Sequence, residues 1–242
     1  MRINKYLAKC GICSRRGADE LILKGEVIID GRCALLGDEV SDGMKVCVLG
    51  EEISLPDDTV VMAYYKPVGV TCSEKDSHAD RLVTDEISSD RRLTYAGRLD
   101  KDSEGLLIMT DDGDLINSMM RGANLHEKEY EVTVDKIISD IELGKLASGI
   151  YLEDLDTTTR PCKVTRTSDT SFNIVLTQGL NRQIRRMCES LGYKVLTLRR
   201  TRVMNVTLGN LQVGASRILS PEEKKTLYSD CGLHIRTESV FM

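Results

Sequence analysis

The feature that most constrains this fold is the order of segments after residue 60. Strand-like runs recur as "VVMAYYK", "LLIMT", "KEYEVTVD", "RPCKVTRTS", "SFNIVLTQG" and "KVLTLRRTRVMNVTLG". Helical stretches fall between them: "GDLINSMMRG", "SDIELGKLASG" and "NRQIRRMCESLG". Strands outnumber helices and long connections join them. That order predicts an α+β domain on a mixed, mostly antiparallel sheet rather than a regular βαβ repeat.

The first fifty residues read differently. Ile3, Tyr6, Leu7 and Cys10 follow helical spacing, and Gly11 ends that helix. Ser14 is placed to cap a second helix carrying Arg15, Arg16, Leu21 and Ile22. "KGEVIIDGR" gives a strand and an Asp-Gly hairpin turn, and "DEVSDGMKVCVLG" a further turn and strand. The polar, Pro-containing stretch "EEISLPDDT" reads as a linker. The expected organisation is a small ααβ-type unit over 1–52, a connection over 53–60, a main domain over 61–230, and a C-terminal extension over 231–242.

Composition narrows the functional classes. The chain of 242 residues is 41% hydrophobic but has no Trp and two Phe, so its core must be aliphatic. No apolar run approaches the roughly 18 residues a membrane span needs. The N-terminus lacks an apolar stretch of signal-peptide type, which gives a cytoplasmic protein with no membrane partner as the expectation. The eight Cys include one Cys-x-x-Cys pair, Cys10 and Cys13, with no second pair or matching His. Structural thiols and no metal are expected.

The net charge is −5, yet its distribution matters more than its sum. Seven Arg or Lys lie between Gln178 and Arg202, opposed by Glu189 alone. Such a stripe is either a solvated helix face or a polyanion footprint. In "TYAGRLDKDSEGLLIMT", Asp100 stands between Arg98 and Lys101, just ahead of a buried run. Cations beside a fixed carboxylate oppose the rise in pKa that burial causes. The same composition also fits a plain loop. Asp102 nearby fits a turn cap better than the second acid of a glycosidase pair.

Four ordered segments carry a resemblance: "YKPVGV", "GRLDKDSEGLLIMTDDGDL", "KEYEVTV" and "GLNRQIRRMCESLGY". Together they resemble the bacterial pseudouridine synthases of the RsuA/RluB/RluE/RluF type, most nearly the RluF branch, which modifies 23S ribosomal RNA. The stretch "INKYLAKCGICSRRGADELILKGEVIIDG" resembles the S4 RNA-binding module that precedes such domains. Cys10, Cys13 and Gly17 stand where small or helix-favouring residues are more usual, and Gly17 lowers helix propensity and removes a capping-box carboxylate after Ser14.

The resemblance implies isomerisation of uridine to pseudouridine, a reaction in which nothing is oxidised and no cofactor is required. It makes Asp100 the catalytic carboxylate and Arg185 the cation paired with it. It makes Tyr130 the aromatic residue that stacks under a flipped uracil or assists proton transfer. Lys66 and Pro67 are expected to line the site's wall, with Ile184 beside the base. Lys5, Arg15 and Arg16 would hold one flank of the RNA, and Arg98, Lys101, Arg182, Arg186, Arg199 and Arg200 phosphates near the site. The expected partner is a folded stem-loop of 23S rRNA, with a tRNA left open as a second substrate, bound by a monomer. The competing reading is a catalytically inactive S4-containing rRNA-binding assembly factor.

Overall fold

A computed structural model describes residues 1–73 and 80–235. In the N-terminal unit, helices α1 (Ile3–Lys9) and α2 (Arg15–Leu23) precede strands β1 (Val27–Ile29), β2 (Arg32–Cys33), β3 (Val46–Val48) and β4 (Glu51–Ile53). The strands form one sheet in the order β2-β1-β3-β4. Ser14 accepts a hydrogen bond from Gly17 N at 3.1 Å and caps α2, without a reciprocal carboxylate. Asp30 and Gly31, both at positive φ, turn β1 into β2 as an Asp-Gly hairpin should. Ile3, Leu7, Ala18, Ile22, Val27 and Val46 fill a core of the unit's own. The expected linker begins one residue early, because Ile53 still pairs with Val46.

The main domain follows as β5 (Val61–Lys66), β6 (Thr94–Ala96), β7 (Glu104–Thr110), α3 (Gly113–Met120), β8 (Lys128–Val134), α4 (Asp140–Ser148), β9 (Tyr151–Leu152) and β10 (Thr157–Thr158). It continues with β11 (Lys163–Arg166), β12 (Ser171–Leu176), α5 (Gln183–Ser190), β13 (Val195–Val203), β14 (Val206–Thr207), β15 (Ser216–Ile218) and α6 (Pro221–Asp230). The fold is α+β. The large sheet runs β11-β12-β8-β13-β7-β5-β15, with β14 on β13 and β6 on β7. Its pairs are antiparallel except β7 with β13, which are parallel.

That parallel seam joins two half-sheets. On one side, β5 and β7 are covered on both faces, which is why "LLIMT" reads as an unbroken apolar run rather than alternating. Leu106 and Ile108 pack toward α3 and α6, while Leu107 and Met109 pack with Tyr64 and Val70 on the other face. On the other side, Val132, Phe172, Ile174 and Leu198 pack against α4 and α5. Gly105 lies on the seam at φ +112, where a Cβ would sit 2.3 Å from the Arg200 carbonyl oxygen. Only a residue without a side chain allows β7 and β13 to approach this closely.

Two features depart from the sequence-based expectation. Residues 231–235 do not lie off the core: Cys231 is buried, and Leu233 and Ile235 pack against the α3–α6 cluster. Gly232, at φ +67, turns the chain back so that Leu233 N donates to Tyr228 O at 2.9 Å. Positions 236–242 of the expected extension are outside the described residues. The second departure is Lys5, expected on RNA. Its Nζ is 2.6 Å from Asp114 Oδ1, and Lys9 Nζ is 2.7 Å from Oδ2 of the same carboxylate. Asp114 sits in the first turn of α3, where a negative charge is favoured. The two lysines of α1 therefore dock the N-terminal unit onto the main domain.

Candidate active site

The turn from Asp100 to Ser103 leads directly into β7, closed by Ser103 N donating to Asp100 O at 3.1 Å. Four further groups hold it. Gly69 N donates to Lys101 O at 2.7 Å. Lys66, fully buried, donates from Nζ to Ser103 O at 2.7 Å and Pro67 O at 2.8 Å. Arg185 Nη2 donates to Asp102 O at 2.9 Å and to Ser103 Oγ at 3.2 Å. Arg182 makes a two-pronged contact with Asp102, at 3.2 and 3.0 Å. A carboxylate at the head of such a turn has little freedom to swing away from its target.

Above the turn is a cavity of about 390 Å³. Asp100, Tyr130 and Ile184 line it together, as do Arg98, Arg182 and Arg200. The sequence placed these residues up to 102 positions apart, and the β7–β13–β8 arrangement gathers them. Tyr130 on β8 lies directly opposite Arg200 on β13. Lys128, two residues before Tyr130 and so on the same face, lines the cavity too, with Arg121 and His126.

The expected pairing of Asp100 with Arg185 is not what the structure shows. Arg182 is the facing cation, its Nη1 3.6 Å from Asp100 Oδ2. Arg185 instead faces Asp102 Oδ2 at 3.4 Å and braces the turn beneath, outside the cavity lining. The reason lies at the start of α5. Arg182 adopts a left-handed conformation (φ 50), uncommon for a side-chain-bearing residue, and this aims it at the turn one helical turn ahead of Arg185. Burial alone would push the Asp102 carboxyl up; Arg182 and Arg185 outweigh it and hold it below the ordinary range.

Other expected contacts fall elsewhere. Lys66 and Pro67 support the turn rather than form the cavity wall. Burial lowers the Lys66 pKa, as loss of water does for any ammonium. Arg186 pairs with Asp154 and Arg199 with Glu131, and Lys101 lies 3.5 Å from Asp80. Arg200 is 1% exposed, because alternation along β13 turns it inward while Arg199 faces out. Among the described residues, no carboxylate pairs with Arg98, Arg15 or Arg16, and all three are exposed. Lys128 was missed by the sequence reading, although its period-two spacing from Tyr130 in "KEY" was the available signal.

Residues 60–190 match the family described as RNA pseudouridylate synthase, and residues 1–46 match the S4 domain. The chain is 46% identical over 229 residues to the dual-specificity RNA pseudouridine synthase RluF of Salmonella typhi, covering 94% of this chain and 78% of the relative. It is 36% identical over 217 residues to ribosomal large subunit pseudouridine synthase B of Escherichia coli strain K12, covering 86% and 75%. A solved structure titled "Crystal structure of pseudouridylate synthase" superposes with a TM-score of 0.69 at 26% identity, covering 94% of this chain and 99% of that one. The two matched families define the class as an RNA-modifying enzyme, with the carboxylate, the aromatic residue and the arginines gathered around one cleft. The chain belongs to the RNA pseudouridine synthase family, with an S4 RNA-binding domain ahead of the catalytic domain. It is an isomerase that converts uridine to pseudouridine in RNA, and the inactive assembly-factor reading gives way to the enzyme.

Proposed function

We propose that this chain isomerises a uridine in a stem-loop of 23S rRNA, with Asp100 as the nucleophile, and that a tRNA serves as a second substrate. The large-subunit relative supports the first target, and the dual-specificity RNA relatives support there being a second. The observation that carries the mechanism is the fixed turn that presents Asp100 to the cavity opposite Tyr130. The target base leaves its stack, at a cost of a few kcal/mol that is lowest in loops. Tyr130 then supports its face, and Ile184 supplies apolar contact. Arg182 keeps an opposite charge beside Asp100, and Arg185 with Lys66 keeps the turn in place. Arg15, Arg16 and Arg98 hold phosphate. The chain would act as a monomer, in the cytoplasm where ribosomal RNA resides.

The test is release of tritium from C5-labelled uridine in 23S rRNA and in tRNA transcripts, followed by mapping of the product. Release from an rRNA stem-loop is the expected result. Binding of both RNAs without release from either would overturn the proposal.

A further inference from the structure

Arg200 is an anomalous charge: it is buried and has no carboxylate partner among the described residues. A guanidinium at 1% exposure normally has a carboxylate partner, because an uncompensated buried charge is costly. Arg200 has none among the described residues. Its Nε donates to Leu106 O at 2.7 Å and its Nη1 to Arg98 O at 3.3 Å, both neutral acceptors. Its Nη2 is buried and makes no hydrogen bond. A buried orphan donor requires an explanation. Lys128 beside it is half-buried and also lacks a carboxylate among the described residues: burial, and then the nearby Arg200 charge, push its pKa down, and its Nζ makes a 3.5 Å approach to His126 O. Both side chains line the catalytic cavity. Among the described residues, Asp100 is the only acid lining the space that these two cations share.

We infer that Arg200 Nη2, assisted by Lys128, is the electrostatic receptor for the negative charge that develops on the uracil ring during isomerisation. The inference rests on the reading of the cavity as the uridine site. Breaking the N1–C1′ bond leaves its electron pair on the base, and the charge spreads to the carbonyl oxygens. A carboxylate oxygen of Asp100 bonds to C1′ as that bond breaks. In the return step C5 attacks C1′ with a pair from the ring, and Asp100 leaves as carboxylate. A proton lost from C5 and one gained at N1 complete the product, so atoms and charge balance with no further reactant. The base anion exists only between these two steps. Donors already oriented act on such charge far more strongly than water does, because they need no reorganisation as it develops.

Register favours the base over a backbone phosphate as the occupant. Arg200 and Tyr130 are directly opposed across β13 and β8, so their side chains share a face about 5 Å apart at Cβ. Any ring stacked on Tyr130 brings its edge to Arg200. A phosphodiester has no reason to follow the base this deep, and Arg98 and Arg121 offer exposed contacts at the rim.

The decisive experiment uses Arg200→Met and Arg200→Lys in the full chain, with RNA affinity and single-turnover rate measured separately. RNA carrying uridine is compared with RNA carrying 5-fluorouridine, whose fluorine stabilises the base anion. Loss of intact nucleoside after nuclease digestion reads both substrates. We expect the Arg200→Met rate at saturating RNA to fall about 10²- to 10³-fold with affinity nearly unchanged. The deficit should shrink on 5-fluorouridine, and Arg200→Lys should recover part of it. A weaker affinity with an unchanged saturating rate would identify a phosphate contact and overturn the inference, as would an equal deficit on both substrates. Should Arg200→Met fail to fold by circular dichroism, Lys128→Gln carries the same comparison with an expected loss of about tenfold. A wild-type chain that turns over neither RNA overturns the function proposal itself. An active wild type with an indifferent Arg200→Lys and Lys128→Gln overturns only this inference.

Discussion

Helices α2 and α5 are both rich in arginine, but they use it in opposite ways. On α2, Arg15 and Arg16 are exposed and have no carboxylate partner among the described residues. On α5 the cations are committed, Arg182 to Asp100 and Asp102, Arg185 to the turn and Arg186 to Asp154, and on β13 Arg199 pairs with Glu131. Free surface cations attract a polyanion at long range and release counterions on contact. Committed ones fix the geometry of the groups they touch. Counting basic residues therefore does not measure an RNA-binding face; what matters is which of them remain unpaired.

The largest effect expected from this division is at the carboxylate that the committed cations position. Asp100→Asn should keep its fold and RNA affinity while turnover falls by at least about 10³-fold. Activity retained at about a tenth of wild type would remove Asp100 from the role of nucleophile. Next in size is the contrast between the two arginines of α5. Arg185→Met removes a largely buried guanidinium and with it two hydrogen bonds to the turn, and should cost about 1–3 kcal/mol, read as a lower unfolding midpoint. Arg182→Met removes a pair that is 42% and 49% exposed and should cost no more than about 1 kcal/mol while still slowing turnover. Equal destabilisation by both would erase the distinction between facing and bracing cations.

Smaller changes sharpen the other side of the comparison. Arg15→Ala with Arg16→Ala should weaken RNA binding and flatten the logarithmic salt slope by about 1.4 to 1.8, as loss of two phosphate contacts requires. An unchanged slope would mean that α2 does not touch the backbone. The least effect belongs to the docking bridge. Burial raises the Asp114 carboxyl, but Lys5 and Lys9 together leave it below its ordinary range. A depressed folded-state pKa contributes stability that is full above the unfolded value of about 3.9 and fades as pH falls through the folded one. Asp114→Asn should lower the unfolding midpoint slightly near neutrality, by about 1 kcal/mol or less, with the difference closing in acid. A gap that persists or widens in acid would assign Asp114 another role.

Local signals were legible in the sequence where chemistry is local. Ser14, the Asp30–Gly31 turn, the apolar run of β7 and the helical stretches of α3, α4 and α5 all sit where residue types place them. The position of Asp100 ahead of β7 was equally readable. What the sequence hid depends on direction. Arg182 and Arg185 differ in role because one backbone angle turns left-handed, which no side-chain pattern announces. Arg199 and Arg200 differ because the pleat sends neighbours to opposite faces, and a run of arginines masks the alternation. Helix α6 escaped notice because Leu227 and Tyr228 are its only buried residues, although Ser220, Pro221 and Glu223 spell a capping box with proline at the first turn. Lys5 was misread because its partner, Asp114, is 109 residues away.

Position 105 bears on how loss-of-function data for this enzyme will be interpreted. A methyl group there would collide with the backbone of Arg200 and wedge the seam apart. Its neighbours on either strand are the Asp100 turn and the orphan guanidinium, so one added carbon would dislocate both halves of the reaction centre at once. A mutational screen would score that hydrogen-only site as though it did chemistry, when its whole contribution is the absence of bulk.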